Sequence, residues 1–97
     1  MKYMNIGFVP FRRDLLKHNK TLFKRGDHRF QDTYYCVACG FPLVTYNPKQ
    51  GNYTTNRNMY KMVYNGSVVY LCANGSICKN YRLSKKGEEL IRVVIPD

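Results

Sequence analysis

Residues 59–72 carry the clearest alternation of hydrophobic and polar positions in the chain. Two strand-like runs flank Asn65-Gly66, a dipeptide that is favoured in two-residue β-hairpin turns. A hairpin turning there would place one apolar face on a core, through three facing pairs: Tyr64 with Ser67, Met62 with Val69, and Tyr60 with Leu71.

The opposite face of this predicted hairpin is mixed in character. It carries Lys61 beside Tyr70, and Val63 beside Val68. A face of this kind can be solvated or can be used for binding, and the pattern leaves both interpretations open.

Helical periodicity in the first third of the chain predicts a helix over residues 10–23. Phe11, Leu15 and Leu22 recur on one face at spacings of four and seven, and Pro10 suits the first turn of a helix. The preceding residues 1–9 have the composition of a short strand. The other faces of the helix would be basic, with Arg12, Arg13, Lys17, Lys20 and Lys24.

The end of the chain predicts a short second helix over residues 84–93. Ser84 would be its N-cap and Glu88 would lie in its early turns. Its docking residues would be Leu83, Leu90 and Ile91. Between the two helices, residues 24–32 read as a loop and residues 47–52 as a turn between strand-like segments.

The length of 97 residues suits one small domain. We expect a small α+β fold with a basic N-terminal segment (1–32), a β core (33–80), and a C-terminal helix and tail (81–97). A chain this short buries only a modest fraction of its surface, so an additional staple is expected.

Four cysteines are the candidates for that staple: Cys36, Cys39, Cys72 and Cys78. The first two are separated by two residues and followed by a glycine, a spacing that lets two thiolates turn toward one metal ion. The second pair is wider, and Asn74-Gly75 inside it would supply a tight turn that brings Cys78 back. Disulfides and ordinary buried thiols are the alternatives. We expect no secretory leader and therefore a reducing compartment, where paired cysteines are more often metal ligands than disulfides.

The segments "CVACGFPLV" and "YLCANGSIC" resemble the zinc knuckles of zinc-ribbon and treble-clef proteins over roughly residues 34–80. The resemblance implies antiparallel β-hairpins around one structural Zn²⁺, held by all four cysteines. It also implies a place among transcription, RNA-handling or ribosomal proteins. The second spacing departs from the usual two residues, which leaves His28 as a substitute ligand for Cys78.

A zinc ion held by four thiolates keeps no open position for water or substrate, so we expect no enzyme activity. The competing enzymatic interpretation is a His-metal finger nuclease built on Asp27-His28. In such nucleases the general-base histidine usually lies between the cysteine pairs, whereas Asp27-His28 precedes both pairs.

Charge is the main clue to a partner, because 16 lysines and arginines face six carboxylates and give a net charge of +10. Zinc with four thiolates would lower this to about +8. Residues 1–30 alone contribute +6 and interleave aromatic with basic residues, as a surface that follows phosphates does. The candidate nucleic-acid contacts are Arg12, Arg13, Lys17, Lys20, Lys24, Arg25, Arg29, Lys61 and Tyr70.

We therefore expect a non-catalytic module that binds RNA or DNA in transcription or RNA handling. The alternative is a small viral or phage-encoded modulator that binds an acidic host protein, such as an RNA polymerase subunit or a nuclease. A solvated basic face in a composition typical of A- and T-rich genomes would explain the same charge without either partner. The expected location is the cytoplasm, or the nucleus or host cytoplasm for a viral protein, with no membrane segment and no small-molecule substrate.

Overall fold

The computed structural model describes residues 2–95, which form ten elements arranged in three small antiparallel sheets. In chain order the elements are β1 (Lys2–Ile6), α1 (Phe8–Leu15), β2 (Lys20–Phe23), β3 (Tyr34–Tyr35), β4 (Pro42–Asn47), β5 (Asn52–Thr55), β6 (Met59–Tyr64), β7 (Ser67–Cys72), α2 (Gly75–Lys86) and β8 (Ile91–Ile95). The sheets have the strand orders β1-β8, β2-β6-β7 and β3-β4-β5.

The β6–β7 hairpin has the predicted register, with Tyr64 opposite Ser67 and Met62 opposite Val69. Asn65 adopts a positive φ of 51°, as the predicted two-residue turn requires. On the predicted core face, Met62 is 3% exposed and Leu71 is fully buried. Helix α1 lies against this face, where the ring of Phe11 meets the ring of Tyr64 edge to face at 5.9 Å.

The β3-β4-β5 sheet joins the hairpin through its first strand. An isolated parallel bridge connects Cys36 with Tyr70, and the backbone N–H of Val37 donates a 2.8 Å hydrogen bond to the carbonyl of Tyr70. The predicted turn at residues 47–52 connects β4 to β5, and Asn47 accepts backbone hydrogen bonds there from Gln50 and Gly51. The first cysteine pair is thereby placed beside the end of β7.

The predicted helix over residues 10–23 is wrong at both ends. Helix α1 already begins at Phe8 and ends at Leu15, and Lys20–Phe23 instead form strand β2 on the free edge of β6. The seven-residue spacing from Leu15 to Leu22 was coincidental, because Leu22 lies on the strand and is 47% exposed.

The predicted helix over residues 84–93 is also wrong. Helix α2 runs from Gly75 to Lys86, and Ser84 lies inside it, where its hydroxyl donates to the carbonyl of Tyr81. Gly87 ends this helix with a φ of 60°, a conformation that glycine adopts readily.

The residues after α2 form strand β8, which pairs with β1 along its whole length. Val93 is 7% exposed and belongs to the core, and the side-chain amide of Asn65 donates to the carbonyl of Val94 at 2.9 Å. The two ends of the described chain are therefore held together in one small sheet. Neither helix within residues 2–95 has the length and apolar character needed to cross a bilayer.

Candidate metal centre

The four cysteines lie together in the core of the protein. Their sulfur atoms all lie within 4.8 Å of one another, and each residue is at most 3% exposed. The Sγ atoms of Cys36 and Cys78 are 3.7 Å apart, and those of Cys39 and Cys72 are 3.6 Å apart. Each of these two short Sγ–Sγ distances therefore joins a cysteine of the first pair (Cys36, Cys39) to a cysteine of the second pair (Cys72, Cys78).

These separations fit one metal ion at the centre of four sulfurs. A tetrahedral site with metal–sulfur distances near 2.3 Å has edges of about 3.8 Å between sulfurs. Disulfide-bonded sulfurs would be only about 2.05 Å apart, and all four thiols are free. The cluster is thus compatible with a metal site.

Cys36 and Cys39 are presented by a tight turn that follows β3. The backbone N–H of Cys39 points at the sulfur of Cys36, and that of Phe41 points at the sulfur of Cys39, both at 3.4 Å. Gly40 has a φ of 82°, which explains the glycine directly after the second cysteine. Backbone dipoles directed at both sulfurs favour their thiolate forms.

Cys72 is the last residue of β7, and Cys78 lies in the first turn of α2. Asn74 does not form the tight turn predicted for Asn74-Gly75. Its side chain caps α2 by accepting hydrogen bonds from the backbone of Ser76 (3.0 Å) and Ile77 (3.2 Å). The five residues between Cys72 and Cys78 thus contain the N-cap of α2 and most of its first turn. The positive end of the helix dipole lies at this first turn and favours a thiolate at Cys78.

The thiols influence one another strongly. Hydrogen bonds from neighbouring thiols, first from Cys39, hold the pKa of Cys36 well below its usual range. The same interactions, first with Cys36, raise the pKa values of Cys72 and Cys78. The pKa of Cys39 is also lowered, so thiolate formation is opposed at two of the four cysteines, Cys72 and Cys78. A dication would offset this opposition.

Two buried guanidinium groups hold the segments that carry the cysteines. Arg12 donates to the carbonyl oxygens of Cys72 at 2.6 Å and Ala73 at 3.0 Å, and Arg82 donates to that of Ala38 at 3.0 Å. Arg12 is predicted from the basic sequence pattern to contact nucleic acid, but it is only 8% exposed and both of its terminal nitrogens donate to backbone carbonyls of the protein. In this structure Arg12 supports the cysteine cluster.

Arg57 is a third basic residue at the cluster and is not among the residues predicted from the sequence. Its guanidinium lies 3.3 Å from the ring centroid of Phe41, and its Nη1 is 3.7 Å from the sulfur of Cys72. A positive charge at this position would partly compensate the negative charge of a thiolate at Cys72. No local motif marks Arg57, because its contacts come from Phe41 and Cys72, distant in the sequence.

The other candidate residues lie outside the cysteine cluster. His28 is exposed and does not belong to the four-residue group, so the structure brings Cys78 to the cluster and not His28. Seven of the candidate nucleic-acid contacts are exposed: Arg13, Lys17, Lys20, Lys24, Arg25, Arg29 and Lys61. Arg29 also forms an ion pair with Asp27 at 2.6 Å.

Tyr70 is placed differently from those cations, because it is only 8% exposed. Its ring packs against that of Tyr34, with centroids 4.4 Å apart, and its burial raises its pKa to about 12. The ring of Tyr70 is therefore largely covered by the protein itself.

No protein-family model, curated protein or solved structure matches this chain. The geometry of the four cysteines and the distribution of charge are therefore the observations on which a functional assignment rests.

Proposed function

We propose that the four cysteines hold one structural Zn²⁺ and that the protein is a treble-clef-like module. The order of ligands supports this: a knuckle, a hairpin strand and the first turn of a helix supply them in turn. Zinc is the metal most typical of a closed tetrahedral site of four thiolates. Cys36, Cys39, Cys72 and Cys78 would supply every ligand, and the ion would tie the turn after β3 and helix α2 to the end of β7.

The proposed metal role is structural because four buried thiolates fill the coordination sphere. Bound zinc would supply a rigid crosslink and no activated water. The chain's own residues prepare this site by turning backbone N–H groups toward two sulfurs and by placing Arg57 beside a third.

The partner that we propose for this zinc-stabilised module is nucleic acid. The observation that carries the proposal is the excess of positive charge on the surface: 13 of the 16 lysines and arginines are exposed. Among residues 2–95, one side-chain ion pair is found, between Arg29 and Asp27. Exposed cations that lack carboxylate partners are available to phosphates, and each one engaged releases counterions.

The direct test is a titration of the zinc-loaded protein with fluorescently labelled oligonucleotides, single- and double-stranded, at several salt concentrations. The logarithm of the association constant should fall linearly with the logarithm of the salt concentration. Substitution of Arg13 and Lys17 by alanine should weaken binding to all sequences alike. Folded, zinc-loaded protein that binds no oligonucleotide even at low salt would overturn the proposal and direct attention to an acidic protein partner.

A further inference from the structure

The face of the β6–β7 hairpin turned away from α1 carries two adjoining cavities, which we call the outer groove. One has a volume of about 560 Å³ and lies between β3 and the hairpin. The other has a volume of about 350 Å³ and extends toward Phe23 and Phe30. Tyr34, Lys61 and Tyr70 line both, so the cavities meet at these residues.

Aromatic residues line both cavities of the outer groove. Tyr70 and Tyr34 pack together as a pair, and Phe30 packs against Tyr34 at a ring separation of 5.9 Å. Tyr35 stands at the rim and is 60% exposed. It directly precedes Cys36 and pairs with Pro42 in the sheet, so its backbone is fixed by the cysteine knuckle.

The charge in the outer groove is positive. Lys61 is exposed at the junction of the two cavities, and Arg29 stands at the far end with its guanidinium 5.1 Å from the ring centroid of Phe23. Asp27 partly neutralises Arg29, whereas Lys61 forms no ion pair within residues 2–95. The residues of the described chain that line the two cavities include no carboxylate.

We propose that the outer groove binds unpaired bases of a single-stranded nucleic acid, an inference that rests on the proposed nucleic-acid function. An exposed tyrosine ring offers a stacking surface to any base, and a neighbouring lysine meets the backbone phosphate. Paired bases in a duplex are already stacked on one another and cannot lie flat on Tyr35. The groove therefore favours single strands over duplexes of the same length.

The test uses the zinc-loaded protein and a labelled oligothymidylate of about 15 nucleotides, with oligouridylate and a duplex of equal length as competitors. Tyr35→Ala should weaken single-strand binding by about five- to a hundredfold and leave duplex binding nearly unchanged. Tyr35→Phe keeps the ring and should bind like the natural protein. The matched control is Tyr46→Ala, because Tyr46 is 53% exposed on β4 and lines neither cavity.

A second pair of variants tests the phosphate contact. Lys61→Ala should lower the salt slope by about one, whereas Lys49→Ala in the β4–β5 turn should lower it less. Zinc content and melting temperature identify any variant that has lost its fold, and the exposed positions of Tyr35 and Lys61 make such a loss unexpected.

The outcomes separate this inference from the function on which it rests. If binding is salt-dependent but is unchanged in Tyr35→Ala and Lys61→Ala, the proposed role of the outer groove is wrong and the proposed nucleic-acid function stands. A duplex that competes as well as the single strand would also overturn the groove alone. Absence of binding to every oligonucleotide would overturn both proposals.

Discussion

Arg12 and Cys72 are 60 residues apart in the chain, and a 2.6 Å hydrogen bond joins the guanidinium of one to the backbone carbonyl of the other. A second bond from the same guanidinium reaches Ala73. Helix α1 is thereby fixed to the segment that connects the third cysteine to α2. Helices α1 and α2 approach each other so closely here that a Cβ atom added to Gly75 would lie 3.2 Å from Nε of Arg12.

Replacing Arg12 by methionine should lower the free energy of unfolding by about 2–3 kcal/mol, because the buried carbonyl of Cys72 and the partly buried carbonyl of Ala73 would lose their charged donor. Arg13→Met is the matched control, since Arg13 is the exposed neighbour on the same helix. The control should change stability by no more than about 0.5 kcal/mol. Urea denaturation of the zinc-loaded proteins measures both values, and equal effects would show that the Arg12 contacts contribute nothing.

Asn74 should contribute to stability as the N-cap of α2. Asn74→Ala removes the acceptor for Ser76 and Ile77 and should cost about 1 kcal/mol. Asn80→Ala, in the exposed interior of the same helix, should not lower stability, since alanine favours helix more than asparagine does. Thermal unfolding of both variants checks this, and an equal loss in Asn80→Ala would contradict the capping role.

The Asp27–Arg29 pair predicts a pH dependence of known sign. Hydrogen bonds from Arg29 hold the pKa of Asp27 below its ordinary value of 3.8. A folded-state pKa below the unfolded one gives stability that is present above the unfolded pKa and is lost as pH falls through the folded one. The difference in unfolding free energy between the natural protein and Asp27→Asn should therefore be constant above about pH 5 and shrink below it.

Urea denaturation at a series of pH values measures that difference. Loss of metal at low pH affects both proteins alike and largely cancels in the comparison. A difference that grows as pH falls would contradict the assigned sign.

Metal removal should abolish cooperative unfolding. A chelator added to the purified protein should convert a sharp melting transition into a broad one, and added zinc should restore it, because folding and metal binding are coupled in a domain this small. Cys78→Ala should resemble the chelated protein even without chelator. A chelated protein that melts as sharply as before would show that the cysteines are ordinary core residues.

The local parts of this fold were predictable from the sequence. Asn65-Gly66 fixed the hairpin register, because a two-residue turn leaves one way to pair the strands. The turn around Cys36 and Cys39 followed from their spacing and from Gly40. These features depend on residues close in the chain, so the pattern was sufficient.

The boundaries of both helices were predicted wrongly although signals for one of them were present. Asn74 and Gly87 bracket α2 as N-cap and C-terminal glycine, yet Asn74 was assigned to a turn and Ser84 was taken as the cap. Residues 91–95, IRVVI, are rich in β-branched residues and indicate a strand, a signal that the helix prediction passed over. The pairing of β8 with β1, at the other end of the described chain, is not revealed by any local pattern.

The supports of the candidate metal centre were out of reach for the same reason. Arg12 looks in the sequence like one more cation of a basic helix, and only the fold shows that its guanidinium is buried. Arg57 and Phe41 meet from different loops. In the outer groove, the exposed Lys61 was identified from the hairpin pattern. The tyrosine that the pattern paired with it, Tyr70, is buried, and the exposed tyrosine that lines the same cavity is Tyr35.

Zinc K-edge X-ray absorption of the purified, dialysed protein tests the central claim most directly. It should show zinc in the sample with four sulfur neighbours at about 2.3 Å and no nitrogen or oxygen in the first shell. Protein without zinc, or zinc whose first shell contains imidazole or water in place of sulfur, would contradict the four-cysteine centre.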